Sequence, residues 1–360
     1  MVAMSSAQSS AAPHTWPDVL TTLVNGRDLT GEQARWAMGQ VFAGEATPVQ
    51  VAGFVVALRA KGETVEEVSG IADAMLAVAN PISVPGRLLD VVGTGGDRSM
   101  SVNISTMSAI VAAGAGATVV KHGNRSASSK SGSADVLEAL GIRLDLPIVR
   151  VAEIATEAGI TFLFSAAFHP AMRHAAVPRR ELGIATTFNL LGPLTNPARP
   201  QAQAIGCADA RMAPVLAGVY AARGVDAWVF RGDDGLDELT TTTTSTLWAV
   251  HDGEVAVSSV DPASYGLAPA TTADLRGGDA AHNAEVVRRM LAGDKGPVRD
   301  AVVLNAGAAL AVYDAPGAPV DEALAAGVER AAAAIDSGDA QAALDRWVEA
   351  SSRQADPAQR

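Results

Sequence analysis

Apolar residues recur at helical spacing between Trp16 and Asn80. In one segment Val51, Phe54 and Leu58 would share a single face of a helix. Three segments begin with a capping box, in which a threonine hydroxyl accepts a first-turn amide and a Gln or Glu side chain reaches back. The three pairs are Thr30 with Gln33, Thr47 with Gln50, and Thr64 with Glu67. The pattern predicts a small all-helical unit over residues 16–84.

Beyond Pro85 the pattern changes to short apolar runs that alternate with glycine-bearing turns and alanine-rich helical segments. Five runs have the length of a strand: Leu88–Val92, Thr118–Lys121, Thr161–Ser165, Ala204–Cys207 and Ala227–Arg231. Strands that alternate with helices are typical of a mainly parallel sheet covered by helices. The predicted fold class is therefore α/β, with a small all-helical N-terminal domain beside a larger α/β domain.

The stretch 168–200 departs from this alternation, because four prolines flank short helical pieces and no strand is evident. We expect it to pack back onto the helical unit as a later helical insertion. The predicted organisation is a helical domain of residues 16–84 joined by 168–200, an α/β domain of 85–167 and 201–350, and flexible tails at 1–15 and 351–360.

Composition and charge exclude several classes of protein. The chain has 27 Lys and Arg against 39 Asp and Glu, a net charge of −12, which opposes non-specific binding to nucleic acid. The longest uncharged stretch, 99–120, contains polar residues and two glycines, so it is a poor membrane span. A single cysteine, Cys207, excludes a disulfide framework. We expect a soluble, cytoplasmic protein with no nucleic-acid or membrane partner.

A glycine-rich turn follows the first predicted strand. Gly93-Thr94-Gly95-Gly96-Asp97 leads to a helix predicted from about Ile104, and such a turn presents backbone amides to a phosphate. The alternative is a tight turn that merely needs positive φ. At the helix start, Ser105 would either cap the helix or hold a phosphate or a metal ion.

A basic, serine-rich run follows the second strand. Residues 121–133 hold three cations, Lys121, Arg125 and Lys130, together with five serine hydroxyls. Ligands of open α/β sheets bind at the carboxyl edge of the strands, which is where this run should lie. The alternative is a solvated surface loop.

An acidic turn follows the fifth strand. Asp233, Asp234, Asp237 and Glu238 would repel a phosphorylated ligand: at an effective dielectric near 20, two unit charges ~4 Å apart cost about 4 kcal/mol. A divalent cation removes this conflict, and Mg²⁺ prefers one or two carboxylates together with phosphate oxygens. The alternative is a solvated acidic turn.

Two arginines, Arg179 and Arg180, lie in the proline-rich stretch. One guanidinium group could hold a substrate carboxylate through two parallel hydrogen bonds. An ion pair with Glu181 or another neighbouring carboxylate is an equally ordinary use.

These motifs occur in the order GTGGD, NxST, KHGNRxxSS, HPAMRH, RREL, FNxLGPLxNP and GLDE. The series resembles the anthranilate phosphoribosyltransferase family of tryptophan biosynthesis, from about Trp16 to Val348. The resemblance implies a helical domain beside an α/β domain that binds 5-phosphoribosyl 1-diphosphate, and a homodimer formed through the helical domain. It also implies a reaction that joins anthranilate to the phosphoribosyl group, releases diphosphate and requires Mg²⁺.

The resemblance also implies roles for individual residues. Those implied to bind the sugar diphosphate are Gly93, Gly96, Asp97, Ser101, Asn103, Ile104, Ser105, Thr106, Lys121, His122, Gly123, Asn124, Arg125, Ser126, Ala127, Ser128, Ser129 and Ser133. Those implied to contact anthranilate are Gly93, Asn124 and Arg179, and those implied to hold the metal ion are Ser105, Asp237 and Glu238.

No nucleophile is evident, because Cys207 and the serines lack an activating partner nearby in sequence. A strong general base is unnecessary, because the amine of anthranilate is already neutral at pH 7; His122 is the candidate proton acceptor. Ala185 departs from the family pattern, in which many members have arginine. Two alternative functions are a pyrimidine nucleoside phosphorylase on the related fold and a non-catalytic relative that binds nucleic acid. KHGNR and GLDE favour the transferase.

Overall fold

Four helices form the N-terminal unit: α1 (Trp16–Val24), α2 (Gly31–Ala43), α3 (Pro48–Lys61) and α4 (Val65–Ala77). The computed structural model describes residues 14–125 and 130–353. All three predicted capping boxes are confirmed. The hydroxyls of Thr30, Thr47 and Thr64 each accept the backbone amide three residues on, and the Gln or Glu side chain at that position accepts the backbone amide of the threonine. The predicted tails lie largely outside the described residues.

Seven strands form one sheet in the described part of the chain: β1 (Leu89–Gly93), β2 (Val119–Gly123), β3 (Ile160–Phe164), β4 (Ala202–Gly206), β5 (Asp226–Gly232), β6 (Ser245–His251) and β7 (Glu254–Val260). Their order is β3-β2-β1-β4-β5-β6-β7. The first five strands are parallel, and they confirm the five strands predicted from the apolar runs. The sheet class is therefore as predicted.

The hairpin of β6 and β7 extends the sheet by two antiparallel strands, which the apolar pattern did not predict. Its turn places Asp252 at φ 49° and Gly253 at φ 78°, the left-handed pair that tight hairpins require. β7 forms the edge and is mostly exposed. Its weak hydrophobic pattern explains why it escaped sequence-based assignment.

Helices cover both faces of the sheet or connect its strands. After α4 they are α5 (Ile104–Gly114), α6 (Ser133–Leu140), α7 (Ile148–Ala158), α8 (Ser165–Phe168), α9 (Ala176–Leu182), α10 (Leu191–Leu194), α11 (Ala213–Arg223), α12 (Ala280–Leu291), α13 (Pro297–Asp314), α14 (Val320–Asp336) and α15 (Asp339–Ser352). Short 3₁₀ turns lie at Pro170–Ala175, Thr187–Leu190 and Pro262–Tyr265. Within the described ranges no helix is long and apolar enough to cross a membrane.

Alternate residues of the five parallel strands enter different cores, as the two-residue period of a strand requires. On β5, Trp228 and Phe230 pack among α5 and the C-terminal helices α12 to α15. Ala227 and Val229 instead join the core that contains α11 and the N-terminal helices. The helical unit and the sheet therefore share one continuous apolar core.

The stretch between β3 and β4 packs on the N-terminal helices. Ala175 and Phe188 belong to the same buried cluster as Met38 and Phe54, and a Cβ at Gly44 would lie 2.9 Å from the His174 ring. This packing supports assigning 168–200 to the helical domain. The domain boundaries themselves stay a prediction.

Candidate active site

Four of the parallel strands end in glycine: Gly93, Gly123, Gly206 and Gly232. Parallel neighbours bring their carboxyl ends to one edge, and Gly93 pairs in register with Gly206. A Cβ at Gly93 would overlap Oδ2 of Asp237, and one at Gly206 would overlap its carbonyl oxygen. β1 and β4 therefore need glycine at their ends, because the acidic turn after β5 lies directly over them.

The glycine-rich turn after β1 contacts that acidic turn. The Gly95 amide donates to Asp237 Oδ2 at 2.7 Å, and the Thr94 amide donates to the Gly206 carbonyl at 2.9 Å. Gly95 and Gly96 have φ 68° and 88°, which glycine adopts without a steric cost. Two motifs that are far apart in sequence thus form one surface.

The turn also holds two non-glycine residues in the left-handed region, Arg98 at φ 61° and Met100 at φ 56°. Asp97 lies between Gly96 and Arg98 in the chain. It accepts hydrogen bonds from the Ser99 amide at 3.2 Å and from the Ser99 hydroxyl at 2.7 Å. Such backbone strain clusters at functional sites. The positive φ angles therefore mark residues 95–100 as a candidate functional turn.

The four carboxylates of the acidic turn separate into two pairs. Asp233 accepts hydrogen bonds from the hydroxyls of Thr244 and Thr246 at 2.5 and 3.1 Å. Asp234 accepts from Thr240 at 2.8 Å and from Thr242. The threonine-rich stretch therefore occupies these two carboxylates, and the remaining pair, Asp237 and Glu238, faces the strand ends.

Burial controls the charge of that second pair. It raises the pKa of Asp237 to about 7, and nearby Asp97 adds to the shift. Burial also raises the pKa of Glu238, helped by Asp237, while the Ser105 amide donates to Glu238 and opposes the shift. Three carboxyl groups therefore lie close together, and a bound cation would favour the ionised forms of Asp237 and Glu238, which burial disfavours.

Lys121 supplies one such cation from the chain itself. Its ammonium group is buried beneath the site and donates to the Val91 carbonyl and, at 3.2 Å, to Ser105 Oγ. Burial lowers its pKa, and Asp90, Glu238 and Asp237 act in the opposite direction. The sequence predicts that a bound metal ion alone offsets the negative charge of the acidic turn. In the structure the Lys121 ammonium group also lies close enough to offset it.

The residues predicted to hold a metal ion lie together. Ser105, Asp237 and Glu238 offer hydroxyl and carboxylate oxygens, the donor set that suits Mg²⁺. Among the described residues no three His, Cys, Asp or Glu side chains form a metal cage on their own. Mg²⁺ does not need one, since it is usually held by one or two carboxylates with substrate phosphates and water.

The start of α5 differs from a simple capped helix. Asn103 occupies the N-cap position without capping through its side chain, and Ser105 contacts Lys121 instead of capping. Thr106 is buried, and its hydroxyl has no hydrogen-bond partner among the described residues. The helix start thus keeps polar groups that regular capping would have used.

His122 is buried on β2, where its amide donates to Asp90 Oδ1 at 3.1 Å. Its Nδ1 donates to the Gly192 carbonyl at 2.9 Å, and its ring centre lies 5.1 Å from that of His169. Burial lowers the pKa of His122 to about 3. The ring is therefore neutral at pH 7 and a weak base, which makes it a poor proton acceptor. Its role as proton acceptor stays a prediction.

Arg125 turns toward α6. Its guanidinium group donates to Asp135 at 2.8 Å and to Glu138 at 2.6 and 2.9 Å, and it lies 5.7 Å from the centre of the Phe164 ring. Its predicted contact with the sugar diphosphate is untested, and binding there would have to compete with these carboxylates.

The rest of the loop after β2 is described in part. Asn124 Oδ1 accepts the Arg125 amide, and Asn124 O accepts the Ala134 amide at 3.3 Å. Ser133 begins α6 close to Gly123. The predicted residues Ser126, Ala127, Ser128 and Ser129 lie outside the described residues.

Arg179 is half-buried on α9, and its guanidinium carbon lies 5.2 Å from the centre of the Phe188 ring. No carboxylate of the described residues pairs with it, Glu181 included, and burial lowers its pKa. A half-buried guanidinium group without an ion-pair partner is suited to a substrate carboxylate. Ala185 is exposed nearby in the chain.

Sequence reasoning missed several residues that support the site. Asp90 is buried and accepts Asn196 Nδ2 at 2.8 Å, and Asn305 on α13 holds the backbone of Leu239. Asn283 on α12 donates to Asn103. A polar residue inside an otherwise apolar helical or strand pattern was the available signal in each case.

Two family models together match most of the chain. Residues 85–341 match the a/b domain of a glycosyl transferase family, and residues 17–79 match its helical bundle domain. Among curated proteins, the chain is 76% identical to an anthranilate phosphoribosyltransferase of a Nocardioides species over 94% of this chain and 99% of that protein. It is 60% identical to the corresponding enzyme of an Arthrobacter species over 96% and 98%.

Solved structures give the same result. Anthranilate phosphoribosyltransferase from Thermus thermophilus superposes with a TM-score of 0.87 at 41% identity, covering 93% of this chain and all of that one. The Saccharomyces cerevisiae enzyme, solved in complex with PRPP (5-phosphoribosyl 1-diphosphate) and Mg, superposes with a TM-score of 0.85 at 25% identity, covering 95% and 99%.

Proposed function

Because this chain belongs to the anthranilate phosphoribosyltransferase family, we propose that its strand-end site transfers the 5-phosphoribosyl group from 5-phosphoribosyl 1-diphosphate to the amine of anthranilate. The products are N-(5-phosphoribosyl)anthranilate and diphosphate, and the reaction belongs to tryptophan biosynthesis. The observation that carries the proposal is the contact between Gly95 and Asp237, which joins an anion-binding turn to an acidic turn.

We propose Mg²⁺ as the cation of this site. Asp237, Glu238 and Ser105 provide oxygen donors, and the yeast relative was solved with PRPP and Mg. When bound, Mg²⁺ neutralises and orients the diphosphate. The ammonium group of Lys121, which donates to Ser105 Oγ at 3.2 Å, would add a second positive charge beside these donors.

The residues act by placement and by charge. Attack of the amine on the anomeric carbon leaves positive charge on the sugar while negative charge grows on the departing diphosphate. Amides of the glycine-rich turn and the start of α5 would bind the phosphates, and Arg179 would hold the anthranilate carboxylate. Cys207 is not placed as a nucleophile: it is fully buried, its Sγ donates to the Asp209 carbonyl, and burial raises the pKa of its thiol.

The loss of anthranilate fluorescence in the presence of the sugar diphosphate and Mg²⁺ tests the proposal. We expect turnover by the unmodified protein and a fall of about 100-fold or more in Asp237→Asn with Glu238→Gln, because groups that stabilise developing charge contribute on that scale. Circular dichroism should show that the double variant remains folded.

Asp233→Asn is the matched control. Asp233 lies in the same turn, but its carboxylate is bound by Thr244 and Thr246, so we expect nearly unchanged turnover. No turnover by the unmodified protein would refute the proposed function. Unchanged turnover in the double variant would refute the metal assignment alone.

We also propose a homodimer formed through the helical unit. Val49 and Val56 are 81% and 38% exposed on one outer side of α3, with Ala52 and Gly53 between them, and Val24 at the end of α1 is 77% exposed. An exposed apolar stripe of this kind marks an interaction surface. A cytoplasmic location is proposed with it, in keeping with the biosynthetic role.

The other two functions are not favoured. The curated relatives that match over nearly the whole chain are anthranilate phosphoribosyltransferases, which disfavours a pyrimidine nucleoside phosphorylase. A nucleic-acid-binding relative is disfavoured by the same comparison and by the net charge of −12.

A further inference from the structure

The segment between β7 and α12, residues 261–279, runs alongside the glycine-rich turn. The Val102 amide donates to the Leu275 carbonyl at 2.9 Å, and the Gly277 amide donates to the Met100 carbonyl at 2.8 Å. A Cβ at Gly277 would lie 2.8 Å from the Ser101 carbonyl oxygen. The backbones therefore approach so closely that this position needs glycine.

Asn283 connects this segment to the start of α5. It is 2% exposed, and its Oδ1 accepts the Gly278 amide at 2.8 Å. Its Nδ2 donates to Asn103 Oδ1 at 2.8 Å, and Asn103 Nδ2 in turn donates to the Ser131 carbonyl at 3.2 Å. Three loops at the strand ends are thus joined by two side-chain amides.

Backbone groups at the two ends fix the orientation of both amides. The Gly278 amide can only donate, so Asn283 must present its oxygen there and its nitrogen to Asn103. The Ser131 carbonyl can only accept, so Asn103 must present its nitrogen there and its oxygen to Asn283. A carboxylate at position 283 cannot donate to Asn103, which explains why an amide is required.

We propose that Asn283 is a positioning residue for the sugar-diphosphate site, an inference that rests on the proposed function. By fixing Asn103, it holds the first turn of α5 and the backbone of Ser131, just before α6, at a set distance from the glycine-rich turn. Asn283 is 2% exposed, and both polar atoms of its side chain already have partners within the chain, so we expect it to act through Asn103. Its effect therefore belongs to the binding of the phosphorylated substrate and not to that of anthranilate.

Asn283→Asp tests this proposal because it keeps the shape of the side chain and removes the donor. We expect the KM for 5-phosphoribosyl 1-diphosphate to rise about tenfold, the size expected when a buried group loses its hydrogen-bond partner. The KM for anthranilate and kcat should change less than twofold, by the same reasoning. A purely structural role would instead lower the thermal midpoint and leave the two KM values in their original ratio.

Asn283→Ala is the second variant, to be used if the aspartate variant does not fold, and Asn80→Asp is the control. Asn80 also donates through its side chain to a carbonyl, that of Ala167 at 2.8 Å, but it belongs to the other unit. We expect no change in either KM for the control. An unchanged KM for the sugar diphosphate in the Asn283 variant would overturn the proposal.

A binding measurement separates this inference from the proposed function. Calorimetry with Mg²⁺ and 5-phosphoribosyl 1-diphosphate, without anthranilate, should show about tenfold weaker binding in the Asn283 variant than in the unmodified protein. Binding without turnover in the unmodified protein would refute the proposed reaction while leaving this comparison valid. Equal binding by the two proteins would overturn the role of Asn283.

Discussion

At the scale of single residues, neighbours in one turn have different roles because they have different partners. Asp233 and Asp234 lie four residues before Asp237 and Glu238, yet threonine hydroxyls hold the first pair and the strand ends receive the second. The same holds for cations: Arg125 pairs with Asp135 and Glu138. A side chain's charge therefore says little until its partners are known.

Arg179 gives a prediction at this scale. Because no carboxylate of the described residues pairs with it, Arg179→Ala should chiefly raise the KM for anthranilate, by about 10- to 100-fold, the range for charge-assisted hydrogen bonds worth about 1.5–3 kcal/mol. Steady-state kinetics with each substrate varied in turn measures the effect. Arg180→Ala is the matched control, since Arg180 is the exposed neighbour.

If the KM for the sugar diphosphate alone changed in Arg179→Ala, this guanidinium group would lie near the phosphates. Arg179→Lys provides a further comparison, because it keeps the charge but not the planar fork that binds a carboxylate through two bonds. We expect its KM for anthranilate to fall between those of the unmodified protein and the alanine variant.

At the scale of elements, three similar capping boxes differ in the contacts of the residue that lies three positions after the threonine. Gln33 and Gln50 act within their own helices. Glu67 is fully buried and also accepts the Leu29 amide at 2.8 Å and Lys61 Nζ at 2.9 Å. It therefore ties α4 to the start of α2 and to the end of α3.

Glu67→Gln should consequently destabilise the protein more than removing an ordinary cap. Breaking a buried ion pair costs about 3–5 kcal/mol. Asp28 remains as a partner of Lys61 at 2.7 Å, so we expect about 2–3 kcal/mol by the same principle. Urea unfolding followed by circular dichroism measures it.

Gln33→Ala provides the comparison, with an expected cost of about 1 kcal/mol or less because its capping box is exposed. Equal costs for the two substitutions would show that the contacts of Glu67 outside its own helix contribute nothing.

At the scale of the whole molecule, the continuous core of helical unit and sheet determines which surfaces remain free. Met38 and Phe54 of the helical unit belong to the same cluster as Ile205 and Val229 of the sheet. The inner side of α3 is therefore used within the chain. Its outer side carries the exposed Val49 and Val56, and this is the surface that we propose for a second copy.

Val49→Lys with Val56→Lys should convert a dimer into a monomer, because the burial of two unpaired ammonium groups opposes association. Size-exclusion chromatography with light scattering measures the mass directly. Val149→Lys is the control, since Val149 is 64% exposed on α7, a helix that packs against β3 and α15. A monomeric unmodified protein would refute the proposed dimer.

The sequence by itself determined most of the elements that build the site and the types of loop between them. Capping boxes, apolar runs and the glycine-rich turn all depend on residues a few positions apart, and their physical causes act over that distance. The three helix starts, the five parallel strands and the helix from Ile104 follow from such local rules. The hairpin of β6 and β7 did not, because its edge strand lacks a strong apolar face.

Only the tertiary structure decided which polar groups meet. Gly95 and Asp237 are 142 residues apart, and Asn103 and Asn283 are 180 residues apart. The partners of the buried Lys121 ammonium group are likewise distant in sequence, 30 residues away for the Val91 carbonyl and 16 for Ser105. Only the fold shows that no carboxylate of the described residues pairs with Arg179. Electrostatics and hydrogen bonding act between atoms that folding brings together, so the sequence supplied the chemistry of the site and the fold assigned its partners.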